Sequence, residues 1–453
     1  MQKLITKYGL AAHLALLAVA PLFLSPHCIL WLCALASIWL LMEPSRIGSE
    51  TLSEARRRVR RAMGRDPLFW LLSIVVLYAA IRWINGGVAL TYDAELTVWS
   101  ISPPLFPVLP GSVDTAGYPE FAAAVALLIV VEGCRHALGK SARMAFLLLA
   151  SALVGADSVV MSVMLLHRWP ALQVAIGCEL TNPKFIGSAM GIYWLAGTVA
   201  LLAAYERKWV KAMPLTLLSI GGTSAGLFMF APPMVQVVFV AAELVLILYS
   251  FVYARKYLRG SGEFKYLVTF SLAMTLAGVL IVTALPSEAL SSRIAAYKTG
   301  AFFVDGFRSV RDALATVSMK ICKVHPWVGT GLGSFPIDLR FHATEVEWAV
   351  VPAGQLAPLN GYWLLLVERG IVGCVLIACA LVFLLWTFGV RLLKGVRVAF
   401  PPHPACWMGV LALVVLLAET AVDGSCFIPG MFAAVSAFLA ISAASFPKED
   451  RNG

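Results

Sequence analysis

Charge is the first thing this chain lacks. Only 13% of its 453 residues are Asp, Glu, Lys or Arg, against 60% hydrophobic residues, whereas a soluble globular protein is about one quarter charged. Apolar segments continue to residue 445 with short polar interruptions, which leaves no room for a separate soluble catalytic domain. There is no CxxC pair, no zinc-spaced set of Cys and His, no HExxH and no DxD, so no bound metal and no cofactor is implied. No basic cluster with interleaved aromatics exists to make a nucleic-acid face. No repeat of fixed period is present. Of the nine cysteines, Cys178, Cys322 and Cys426 fall in segments where a disulfide is permitted but not required.

What the chain has is apolar runs. They cover roughly 9–25, 27–42, 67–84, 118–138, 144–166, 184–205, 214–230, 232–253, 265–285, 361–390, 405–420 and 427–446. A crossing needs roughly 20 mostly apolar residues, because a helix rises about 1.5 Å per residue through a core about 30 Å thick. The reading is a single all-α polytopic membrane domain over 1–453 with about 12 transmembrane helices. The first run has a basic start and no convincing cleavage site, so it is expected to be a membrane helix rather than a signal peptide. The net charge of +10 has a topological meaning. Most Lys and Arg lie in alternate loops, and placing those loops in the cytoplasm puts both termini there. The densest basic stretch, Glu54 to Arg65, belongs to the basic cytoplasmic loop 43–66 and reads as a helix on anionic headgroups.

The opposite side carries Ile84 to Gly117, rich in Pro, Trp and Tyr, a stretch around His167 to Pro183, and the long periplasmic loop 286–360 between the ninth and tenth crossings. Loops of that length are usually functional. Within it, Phe303, Phe307, Val310, Leu314, Val317 and Ile321 mark one apolar helical face, with Arg308, Arg311 and Asp312 opposite. Such a helix is expected to lie on the membrane surface and hold guanidinium groups above it. VHPWVGTGLGSFP, Val324 to Pro336, follows with an unusual backbone and a possible cradle of amides. It lacks the Lys-Ser/Thr ending of a nucleotide-binding loop. Asp157 and Glu243 lie well inside spans, where charge is often functional. Arg82 and Arg135 lie near helix ends and can snorkel.

Arg311, then HPWVGTGLGSFP, then LNGYWLLLVERGIVG from Leu359, then ETAVDGSCFIPG from Glu419 to Gly430, form a combination more specific than its parts. It resembles the O-antigen ligase and O-antigen polymerase superfamily. Two positions depart from the family pattern: Leu359 stands where a histidine is expected, and GLFMFAPPM at Gly226 to Met234 lacks the usual serine-arginine pair. The resemblance implies transfer of a glycan from an undecaprenyl-diphosphate carrier to a glycan or lipid-anchored acceptor. The implied place is the outer face of a bacterial cytoplasmic membrane, with membrane lipids as further partners. It implies roles for Arg311, which matches the family position before the turn, and for Tyr362 and Glu368, which match the family pattern; Arg311 and Glu368 are the catalytic candidates. The chemistry adds His342 as a candidate base in place of the missing histidine, and Arg293, Arg308, Arg340, Gly331, Gly333, Asn360 and Tyr362 as substrate-binding candidates. His325 reads as structural. Two alternatives stay open: a proton-coupled transporter using Asp157 and Glu243, and a catalytically degenerate glycolipid binder.

Overall fold

Apolar runs of this length satisfy their backbone polar groups inside a bilayer only as helices or closed barrels, and their length, well beyond the roughly 9–11 residues of a barrel strand, selects helix. A computed structural model describes residues 2–41, 57, 64–93, 97–113, 116–167, 183–206, 209, 212–231, 233–257, 305–351, 360–398, 402–422 and 429–445. Its apolar helices are α1 (Gln2–Phe23), α2 (Pro26–Leu41), α3 (Pro67–Ile84), α4 (Gly117–Glu132), α5 (Lys140–His167), α6 (Pro183–Glu206), α7 (Met213–Phe230) and α8 (Pro233–Tyr257). After a polar group of α9 (Asp305–Val324), α10 (Phe335–His342) and α11 (Glu345–Val350) come α12 (Gly361–Val398), α13 (Ala405–Val422) and α14 (Pro429–Ser445). Among the described residues, six helices are long and apolar enough to cross a membrane, and five shorter apolar helices accompany them. The expected run at 265–285 lies outside the described residues, as does most of Glu54–Arg65.

Local chemistry explains several boundaries. Asp66 caps α3 by accepting the Leu68 N–H at 3.0 Å, with Pro67 at the first helical position. At the far end of α4 the helix loosens into one π turn, Gly133–Ala137. Small residues let helices approach closely: a Cβ at Gly197 would lie 2.6 Å from Ser219 Oγ and 2.9 Å from Ser151 Oγ, drawing α5, α6 and α7 into one tight core.

Two features differ from the sequence reading. Ile84 to Gly117 contains a β-hairpin, with β1 (Ala89–Asp93) antiparallel to β2 (Val98–Ser102) and Tyr92 opposite Trp99. Its period-2 alternation, Leu90 and Tyr92 facing Ile101 and Trp99, is the pattern of a strand with one apolar face. The second is α9, which forms with the expected apolar face but does not rest it on the membrane. Leu314, Val317 and Ile321 are buried against Phe335, Leu339 and Val367 of α10 and α12. Lys320 bonds both carboxylate oxygens of Glu347 at 2.8 Å, and a Thr344–Glu347 capping box starts α11.

Candidate functional site

The glycine-rich turn takes its shape from four residues with positive φ. Gly329, Gly331 and Gly333 adopt φ of 72°, 113° and 75°; Gly329 packs against Gly370, where α12 breaks at φ 61°, ψ −171°, while Gly331 faces Gly111 and Gly333 faces Val113 and Ala116. The break frees backbone groups and the turn satisfies them. Ile371 and Val372 N–H donate to the carbonyls of Pro326 (2.9 Å) and Trp327 (3.0 Å), while Thr330 and Gly331 N–H donate to Val367 (2.9 Å) and Glu368 (3.3 Å). On its other flank the turn pairs with the segment before α4: Leu332 N–H donates to Gly111 O at 3.2 Å and its carbonyl accepts from Val113 at 2.9 Å. Gly333 N–H donates to Glu368 Oε1 at 2.9 Å. The amides of Thr330, Gly331, Leu332 and Gly333 therefore all have protein acceptors. No open cradle of amides is left at Gly331 and Gly333: the turn is a plug in a broken helix.

Beneath the plug lies a buried charge cluster. Arg369 donates from Nε (3.0 Å) and Nη2 (2.8 Å) to Glu120 Oε1. Arg82 Nη1 is 3.7 Å from Glu120 Oε2, and Arg82 Nη2 donates to the Glu368 carbonyl at 3.3 Å. Tyr78 donates to the Arg369 carbonyl at 3.1 Å, and Ser112 to that of Arg82 at 2.9 Å. Arg82 was expected to snorkel, yet it is fully buried. Glu368 is buried too, so its carboxylate anchors the turn rather than meeting solvent. Glu120 and Arg369 escaped the sequence reading; the available signal was charge inside an apolar run. Beside the cluster, α3, α4 and α12 enclose a cavity of about 60 Å³, lined by Val75, Tyr78, Leu127, Leu376 and other side chains, with Glu120 and Arg369 at its polar end. Its lining is mostly apolar.

A second focus forms at the last two turns of α13. The half-buried Arg311 donates from Nη2 to Ala421 O at 2.5 Å, and Tyr362 donates to Leu417 O at 2.9 Å. Asn360 caps α12 by accepting the Tyr362 N–H at 2.9 Å. Two expected site residues, Arg311 and Tyr362, thus meet on α13, with Asn360 at the start of α12 beside Tyr362. Arg340 is exposed and His342 half-buried at the end of α10. On that helix Asp338 is buried, which pushes its carboxyl up; the hydroxyls of Thr330 and Ser334, then His342 and His325, pull the other way. Arg293 lies outside the described residues, and of Arg308 only its place in α9 is described. Cys322 is a free thiol, raised to about 11 by burial; Cys178 and Cys426 lie outside the described residues.

At the other end of α4, the ligand atoms of Asp66, Glu132 and His136 lie within 4.8 Å of one another. Arg135 bridges the two carboxylates, at 2.7 Å from Asp66 Oδ2 and 3.1 Å from Glu132 Oε1. Arg135 too was expected to snorkel. Burial raises Asp66, but the His136 hydrogen bond and Arg135 outweigh it and hold the carboxyl below its ordinary range. The group reads as an ion-paired lock between α3 and α4.

No family model matches the chain, and no curated protein matches it. Glu243 on α8 is buried and accepts from Thr198 on α6, while Asp157 on α5 is half-buried.

Proposed function

We propose that the chain is a metal-independent membrane glycosyltransferase that moves a glycan from an undecaprenyl-diphosphate carrier to a hydroxyl acceptor, in O-antigen or exopolysaccharide polymerisation or ligation. One observation carries this reading. Motif stretches far apart in sequence meet in space: the glycine turn plugs the Gly370 break, and Arg311 and Tyr362 both reach the last two turns of α13. Chance similarity in four separate stretches gives no reason for them to converge. In this reading about twelve crossings place both termini in the cytoplasm of a bacterium and the site on the outer face of its cytoplasmic membrane.

The acceptor hydroxyl oxygen attacks the anomeric carbon, the carbon–oxygen bond to the diphosphate breaks, and its electron pair leaves with undecaprenyl diphosphate. The hydroxyl proton passes to a base, for which His342 is the candidate. Arg311 stabilises the charge growing on the diphosphate through charge-assisted hydrogen bonds, with Arg340, Arg308 and Arg293 as further cations of the loop. Glu368 is a positioning residue, acting through the turn. The apolar cavity beside Arg369 suits the carrier tail.

The test is glycan transfer by the purified protein, given an undecaprenyl-diphosphate glycan extracted from its host. Wild type is expected to transfer and Arg311→Ala to lose transfer by more than about a hundredfold, the scale of a lost transition-state donor. Because Arg311 also bonds Ala421 O, unchanged thermal stability of the variant is required. A folded Arg311→Ala protein with wild-type turnover overturns the assignment.

A further inference from the structure

We infer that the segment between α3 and α4 is a wedge inserted into the bilayer interface, in the leaflet beside the glycine turn, and that it sets the depth of that turn. This inference stands on the fold and is independent of the transfer reaction. Its root is Asn85, which ends α3 and is 1% exposed. The Asn85 side-chain amide donates to the carbonyls of Phe106, Leu109 and Pro110 at 3.0, 3.0 and 3.1 Å, and its oxygen accepts the Phe106 N–H at 2.6 Å. Leu105 N–H adds a bond to Gly86 O at 3.3 Å. One buried side chain thus folds residues 105–110 tightly against the end of α3.

The rigid turn points apolar side chains outward. Leu105, Phe106 and Val108 are 68%, 51% and 86% exposed. The hairpin adds Tyr92 and Trp99, whose rings pack at 5.0 Å while half of each remains exposed. The opposite hairpin face pairs hydroxyls, Thr91 Oγ1 meeting Ser100 Oγ at 3.0 Å and Ser102 Oγ at 3.3 Å, with Val98 its one exposed large apolar side chain among the described residues. A two-stranded hairpin is marginal in water without a covered apolar face, and clustered exposed apolar side chains mark an interaction surface.

Three observations identify the cover as lipid. The segment is strung between Ile84, the last residue of one apolar span, and Gly117, the first of the next, which fixes it at interface level. It continues the outward face of α3, where Trp70, Leu77 and Ile84 are more than half exposed. It contains no Lys or Arg from residue 84 to 117, so apolar burial with a Trp–Tyr pair at headgroup level holds it, not attraction to anionic lipid. Because Gly111 to Val113 run on from the wedge and pair with Leu332, its depth is passed to the plug in α12.

Photocrosslinking of the full chain in phosphatidylcholine vesicles tests this. Benzoylphenylalanine is placed at Val108, at Trp99 or, as the polar-face control, at Thr91, and each protein is first shown to unfold at the wild-type temperature. Lipid adducts at Val108 and Trp99 are expected at roughly tenfold the Thr91 level, unchanged by high salt. Equal adducts at Val108 and Thr91, their absence at Val108, or diversion of the Val108 adduct to added host glycan or to another protein would overturn the wedge. An increase with anionic lipid that salt abolishes would overturn its apolar basis.

Discussion

Replacing Gly370 by alanine should dislodge the glycine turn from α12. At φ 61°, ψ −171° the residue occupies a region essentially restricted to glycine, which costs a side chain roughly 1–3 kcal/mol. The added Cβ would fall on Gly329 N and Trp327 O and lie 2.5 Å from Trp327 C. All three are backbone atoms of the plug, so no rotamer change relieves the clash. The cross-break hydrogen bonds of Ile371 and Val372 would go with it, at about 1 kcal/mol each. Together these amount to roughly 3–5 kcal/mol, or about two to three and a half orders of magnitude in the opening equilibrium at about 1.4 kcal/mol per decade. Hydrogen exchange of the Thr330, Gly331, Ile371 and Val372 amides reads that opening directly. The control lies in the same helix: a Cβ at Gly389 meets nothing within 4 Å, and Gly389→Ala should be neutral or stabilising by up to about 1 kcal/mol. Unchanged protection of those four amides in Gly370→Ala would refute the plug.

Two further effects follow from the charges. Glu120→Gln removes the partner of Arg369 and the carboxylate nearest Arg82, leaving two buried cations under-compensated. A loss of roughly 3–5 kcal/mol is expected, read as a lowered unfolding temperature in detergent; an unchanged temperature would mean the pairing is dispensable. The Lys320 hydrogen bond holds the Glu347 carboxyl below its ordinary range, aided by the Thr344 N–H. Its stabilisation of α11 is therefore present above the ordinary glutamate pKa and is lost as pH falls through the depressed one. Exchange at the Trp348 amide should rise on that acid side in wild type and at higher pH in Lys320→Met.

The helical class was plain in the sequence because bilayer burial leaves few alternatives for long apolar runs. Eleven of the expected runs fall on described helices. The apolar stripe of α9 was equally plain, but not its cover, since a stripe does not distinguish lipid from Phe335, Leu339 and Val367. Glycines signalled a special turn in Val324–Pro336. What the turn touches depends on Gly370 and Gly111, remote in sequence. Arg369 and Glu120 are separated by 249 positions, and no local pattern pairs two charges that far apart. The hairpin was hidden by Pro and Trp around it, though its alternation was there to be counted.

The central claim is tested most directly by single-turnover release of undecaprenyl diphosphate from the host's glycan-loaded carrier, in detergent with no ion gradient and with host acceptor fractions supplied. Release matched by glycan appearing on the acceptor is the predicted result. Carrier that binds tightly yet stays fully loaded with every acceptor fraction would contradict the transferase assignment and leave binding or transport in its place.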